Sequence, residues 1–194
     1  MNIFLMGGWM MWPLALVSVT VTAVMAERIL LFSSCPFPPK DFTECLERAV
    51  EGDTARLLEA LRKVPMLRRF ADVMERTHPG REAALRIEGE AVIKKLEKHL
   101  SLLSILARLA PLMGLLGTVL GMISAFSEIA NAQAGVNMNQ LAGGIWQALI
   151  TTAAGLFIAI PALFCLHCFQ SRTDAVAAAL SDAANAFPSL PGEH

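Results

Sequence analysis

The chain has 194 residues, of which 55% are hydrophobic and only 17% charged, with a formal net charge of −1 and a mean hydropathy of +0.52. A soluble domain carries about a quarter charged residues, and a nucleic-acid-binding chain favours a basic face; this composition fits neither. Residues 1–26, 109–127 and 129–171 carry no charged side chain, whereas residues 33–104 hold 13 Lys/Arg and 12 Asp/Glu. Three uncharged apolar stretches around a charged middle predict an all-α, polytopic membrane protein with three transmembrane helices and one sizeable aqueous segment.

In chain order, residues 9–32 read as the first transmembrane helix. About 20 helical residues cross a hydrocarbon layer of roughly 30 Å, with Trp9 and Trp12 suited to one interface and Glu27-Arg28 marking the other. No Lys or Arg precedes this run and no small-residue cleavage site follows it, so it is expected to stay as an anchor. Residues 33–108 read as a cytoplasmic helical region. Ser33 to Pro39 breaks the first helix. Short amphipathic helices then lie on either side of Gly52-Asp53 and from Pro65 to about Arg76, and Thr77-His78-Pro79-Gly80 ends the last of them. From Arg81 the apolar residues Leu85, Val92, Ile93, Leu96, Leu100 and Leu103 recur at helical spacing, which predicts one long amphipathic helix running straight into the second span. That span covers residues 109–128. A short polar periplasmic loop (129–140), a third span (141–169) and a small Ala-rich amphipathic cytoplasmic tail (170–194) complete the chain. Basic residues crowd the middle block and are missing from the N-terminal flank and the 129–140 loop, so the positive-inside tendency places the N-terminus outside and the C-terminus in the cytoplasm.

Two spans carry small and polar residues in register. In the second, Gly114, Gly117, Gly121 and Ser124 share one face behind Pro111, a pattern that lets helix backbones approach closely in lipid. Thr118 beside them can bond its own helix carbonyl or face a wet path. In the third, Gly143, Gln147, Thr151, Gly155 and Ala159 repeat every four residues, with Gly144, Ala148 and Thr152 in a second row and Pro161 closing the stretch. Such a stripe should turn from lipid, because unpaired polar groups in hydrocarbon are costly. It fits an interhelical hydrogen-bonding seam or a lined path equally well. The four cysteines, Cys35, Cys45, Cys165 and Cys168, make no disulfide framework. Cys165-Leu166-His167-Cys168 lacks further ligands nearby and reads as packed thiols, not metal. His78 and His99 read as surface residues. No nucleophile–base pair, phosphate loop or paired acidic site points to an enzyme, and no cofactor is expected.

Gly7-Gly8 through Pro13 closing in Glu27-Arg28, the run Ala110-Pro111-Leu112-Met113-Gly114-Leu115-Leu116-Gly117-Thr118-Val119-Leu120-Gly121, and Gly144 through Gly155 closing in Ala159-Ile160-Pro161-Ala162 together resemble the MotA/TolQ/ExbB proton-channel family, and within it the ExbB/TolQ branch. The resemblance implies a homopentamer in the bacterial inner membrane whose second and third spans line a central pore. One or two spans of an ExbD/TolR-type partner would stand in that pore and supply an intramembrane aspartate. Proton flow would drive work on an envelope or outer-membrane process such as TonB-dependent import, with a TonB/TolA-type protein as a further partner. The family's pore threonines fall on Thr118 and Thr152, and the polar stripe adds Thr151 and Gln147 as candidate pathway residues; Pro111, Gly114, Gly117, Gly121, Gly143, Gly155 and Pro161 are candidate packing residues. Many relatives carry glutamate where this chain has Gln147, which cannot titrate. The competing expectations are a non-conducting membrane scaffold and a MotA-like flagellar stator subunit, the latter usually built with four spans.

Overall fold

The computed structural model of the protein describes residues 8–33, 37–39, 41–51, 53–75, 80–130 and 138–186. Among them are seven helices and no strand: α1 (Met11–Ser33), α2 (Phe42–Val50), α3 (Ala55–Lys63), α4 (Arg68–Glu75), α5 (Arg81–Glu97), α6 (Leu100–Ala130) and α7 (Met138–Ala186). Three stretches, in α1, in α5–α6 and in α7, are long and apolar enough to cross a membrane, and within the chain only 22–28% of each apolar window is buried. In water such a surface would aggregate; lipid or other copies must cover it. The protein is an all-helical, multi-pass membrane protein. The polar part of the 129–140 loop, and His78 and Cys35, lie outside the described residues.

The chain divides into two compact units, Met1–Glu27 with His99–His167, and Arg28–Lys98 with Cys168–His194. In the first, α1 buries Leu14, Val17, Val21 and Val24 on one stripe and turns Trp12, Leu16 and Val19 outward, and Trp9 just before it is exposed too. Its exposed hydroxyls are satisfied locally: Thr20 donates to the Leu16 carbonyl and Thr22 to that of Ser18, each at 2.8 Å. Such back-bonding makes a hydroxyl tolerable in hydrocarbon.

The second unit is the charged one. Helices α2, α3 and α4 are short and amphipathic, and they pack consecutively, α2 on α3, α3 on α4 and α4 on α5. Their core faces hold Ala49, Leu57, Leu61, Phe70 and Met74, joined by Leu67 from the turn before α4, all within 2% of full burial. Arg62 ties α3 to α4 through Asp72 (3.5 Å) and Glu75. Along α3, Lys63 bonds Glu59 at 2.9 Å, and that ammonium holds the Glu59 carboxyl below its ordinary value. Both groups stand in solvent, so the pair tunes a titration and leaves stability almost untouched. Phe32 stacks on Phe169 with ring centroids 5.3 Å apart.

Two elements differ from the sequence reading. The helix that begins at Arg81 does not run unbroken into the second span. It stops at Glu97, Lys98 turns extended (φ −50°, ψ 133°), and His99 takes φ +65° before α6 begins. A left-handed residue other than glycine costs roughly 1–2 kcal/mol; the His99 ring stays partly exposed, with its Nδ1 2.8 Å from Glu27 Oε2. The Ala-rich tail is likewise no separate element. With no Gly or Pro between Pro161 and Pro188 to stop it, α7 runs on for 49 residues and buries Val176, Ala179, Leu180 and Ala183.

Candidate functional site

The second and third spans meet along a ladder of small residues within the first unit. A Cβ built on Gly155 would stand 2.5 Å from the Ala110 carbonyl oxygen and 3.2 Å from the Gly114 Cα. One on Gly114 would meet the Thr151 carbonyl oxygen at 2.9 Å and the Thr152 Cα at 3.0 Å. Further along, Gly117 faces Thr151, Gly121 faces Ala148 (3.0 Å from its Cβ), and Gly144 faces Ala125. The contacts descend α6 as they climb α7, so the two helices run antiparallel with their backbones nearly touching. At each crossing one partner is a glycine, and the lack of a side chain there permits this approach.

Hydroxyls close the seam. Thr152 Oγ1 donates to the Gly114 carbonyl across the helix pair at 2.9 Å. Thr151 Oγ1 donates to Ala148 in its own helix at 2.7 Å and lies 3.4 Å from the same Gly114 oxygen. Thr118 Oγ1 donates back to Leu115 at 2.6 Å. Thr118 and Thr152 stay half-buried, with a side open to the outside of the chain, whereas Thr151 is 1% exposed. Thr151 is enclosed between the two helices, and no face of its side chain reaches beyond the pair. Gly143 and Pro161, by contrast, lie outside the seam. A Cβ on Gly143 meets nothing within 4 Å, and both residues sit on exposed faces of α7. Pro111, half-buried and lacking an N–H, sits inside α6 one residue past Ala110.

Gln147 is half-buried, and its side-chain amide lies against the backbone of Gly8, where any Cβ would overlap it. Gly8 has φ +69°, a conformation that glycine adopts freely. Sequence periodicity could not have paired these two residues, because Gly8 precedes the first span and Gln147 lies in the third. Neither could it find Ala110 and Ala125, which look like ordinary apolar positions until their partners are known. No Asp, Glu, His, Lys or Arg lies between residues 109 and 127 or between 138 and 166. The seam can donate and accept hydrogen bonds but cannot take up or release a proton. Among the described residues no group of three or more His, Cys, Asp or Glu stands close enough to hold a metal ion.

An all-helical chain with three candidate spans, two of them joined by a glycine–threonine seam, is a multi-pass helical membrane protein with a closely packed helix pair. Residues 52–182 match the MotA/TolQ/ExbB proton channel family, and the chain belongs to that family. It is 31% identical over 177 residues to the biopolymer transport protein exbB1 of Vibrio cholerae, across 80% of this chain and 72% of that protein. Over 105 residues it is 34% identical to the Tol-Pal system protein TolQ of Haemophilus influenzae, covering 54% of this chain and 46% of that one. Over 84 residues it is 40% identical to the biopolymer transport protein ExbB of Xanthomonas campestris, 43% of this chain and 33% of that protein.

Proposed function

We propose that this chain is the ring-forming scaffold of a motor driven by the proton gradient across a bacterial inner membrane. Its N-terminus faces outward and its charged middle faces the cytoplasm, as the distribution of basic residues favours. Several copies, five by analogy with the family, bring the outer edge of the α6–α7 seam to a common axis. There Thr118, Thr152 and Gln147 face one or two spans of an ExbD/TolR-type protein; the names of the relatives support biopolymer transport or a Tol-Pal-like process as the work performed, and TonB-dependent import is the form of it that the sequence resemblance implies.

The observation that carries this reading is the pairing of half-buried threonines at the edge of the seam with the lack of any titratable side chain along it. Intramembrane ionisable groups mark the proton relays of membrane proteins. This chain lacks one there, so the acid must enter on another protein, and the threonine hydroxyls serve as hydrogen-bond partners to it.

The test is proton flux into liposomes under an imposed potential. The chain alone should show no flux above that of empty vesicles. Reconstituted with a single-span partner bearing an intramembrane aspartate, it should conduct, and replacing that aspartate by asparagine should return flux to background. Flux from the chain alone would overturn the reading. No flux with any such partner, despite a stable complex, would leave the chain as a non-conducting scaffold, the alternative that Gln147 favours.

A further inference from the structure

Arg28 is the most deeply buried charged residue among those described, 1% exposed. A guanidinium taken out of water is costly unless it finds partners, and its partners are unusual. One terminal nitrogen, Nη1, donates to the main-chain carbonyls of Lys95 at 3.3 Å and Leu96 at 3.1 Å. These belong to the last turn of α5. In an α-helix each carbonyl accepts from the N–H four residues on. Were α5 to continue into the span that follows, the Lys95 carbonyl would take the N–H of His99 and the Leu96 carbonyl that of Leu100. Arg28 engages the two acceptors that continuation requires. The remaining bonds agree with a stop at this point: Lys98 N–H still reaches the Lys94 carbonyl at 3.1 Å, and the next helix starts with Leu103 N–H on the His99 carbonyl at 2.9 Å.

The local sequence does not stop the helix unaided. Glu97-Lys98-His99-Leu100 contains neither glycine nor proline, and its residues are compatible with helix interiors. The usual device for ending a helix, a glycine in the left-handed conformation, is missing, and His99 takes that conformation instead. The carbonyl end of a helix carries partial negative charge, which a buried cation complements. We infer that Arg28 is a positioning residue: it caps α5 from a distant part of the chain and thereby forces the interruption at Lys98-His99 that separates the charged helix from the membrane-spanning one. The stop signal lies 67 residues before the first carbonyl that it engages.

The experiment is residue-resolved amide hydrogen exchange on the full chain in lipid nanodiscs. Arg28→Met keeps the length of the side chain and removes the donors. The expected result is that the His99 and Leu100 amides exchange at least tenfold more slowly than in the wild type, having gained the Lys95 and Leu96 carbonyls. Adding His99→Gly, which favours the left-handed turn without any cap, should return Leu100 toward its wild-type rate after correction for intrinsic exchange. Unchanged protection at both amides in a folded Arg28→Met chain would overturn the proposal. Should Arg28→Met fail to fold, the double variant decides: recovery of the fold supports the cap, and failure to recover assigns Arg28 to some other task.

Discussion

Replacing Gly155 by alanine is expected to destabilise the helix pair by at least about 2 kcal/mol, although it adds a single methyl group. That methyl would sit 2.5 Å from the Ala110 carbonyl oxygen and 3.2 Å from the Gly114 Cα. Both neighbours are main chain, so no side chain can swing aside; the helices themselves must separate. Overpacking of this sort costs roughly 1–3 kcal/mol. Separation would also stretch the 2.9 Å bond from Thr152 to the Gly114 carbonyl, a contribution of about 1 kcal/mol. Gly143→Ala is the matched control. It lies three turns away on the same helix, and its added methyl meets nothing within 4 Å; the alanine should be neutral in the isolated subunit or stabilise it slightly through helix propensity. Thermal unfolding of the two variants in detergent separates them: Gly155→Ala should melt well below the wild type and Gly143→Ala beside it. Equal melting temperatures for all three would mean that the backbones do not approach as closely as this geometry requires.

The difference between these two glycines marks how far the sequence could be read. Hydropathy located the three spans because lipid imposes a length and an apolar composition that no local detail can override. The spacing of Gly114, Gly117 and Gly121 announced close packing, because small residues three and four apart have few other uses in a membrane helix. Which third-span residues would meet them was not legible. Gly143, Gln147, Thr151 and Gly155 share one stripe by period, yet Gly155 and Thr151 enter the seam, Gln147 reaches Gly8, and Gly143 stays open. A four-residue repeat drifts around a helix of 3.6 residues per turn, so over twelve residues the stripe rotates by about a third of a turn and its ends face different neighbours. The break at Lys98-His99 was hidden for another reason. Helix ends are read from nearby glycine, proline and capping residues, and here the carbonyls are held by Arg28, remote in sequence.

Thr152→Val, nearly identical in shape to the wild type, should cut partner-dependent proton flux at least tenfold while leaving the subunit assembled. The expectation rests on the motor reading and on the two kinds of threonine in the seam. The Thr152 hydroxyl commits its proton to the Gly114 carbonyl, so toward anything outside the helix pair it presents only lone pairs. It can therefore accept a bond from a protonated carboxylic acid and has nothing to donate to the ionised form. Thr118, whose proton goes to the Leu115 carbonyl, is placed in the same way, and Thr118→Val should lose flux to a similar degree. Thr151 supplies the contrast. Its hydroxyl is fully enclosed and bonds mainly within its own helix, to Ala148 at 2.7 Å. Thr151→Val should cost about 1 kcal/mol or less of stability and keep most of the flux. Gln147→Ala should also fall between the wild type and Thr152→Val, because it removes a hydrogen-bonding amide but no titratable group. Flux measured in liposomes with the partner present, alongside the thermal stability of each variant, tests the ranking. A fully active Thr152→Val complex would show that the hydroxyl serves only the packing of the two helices, and a dead but well-folded Thr151→Val would place the path through the seam instead of along its edge.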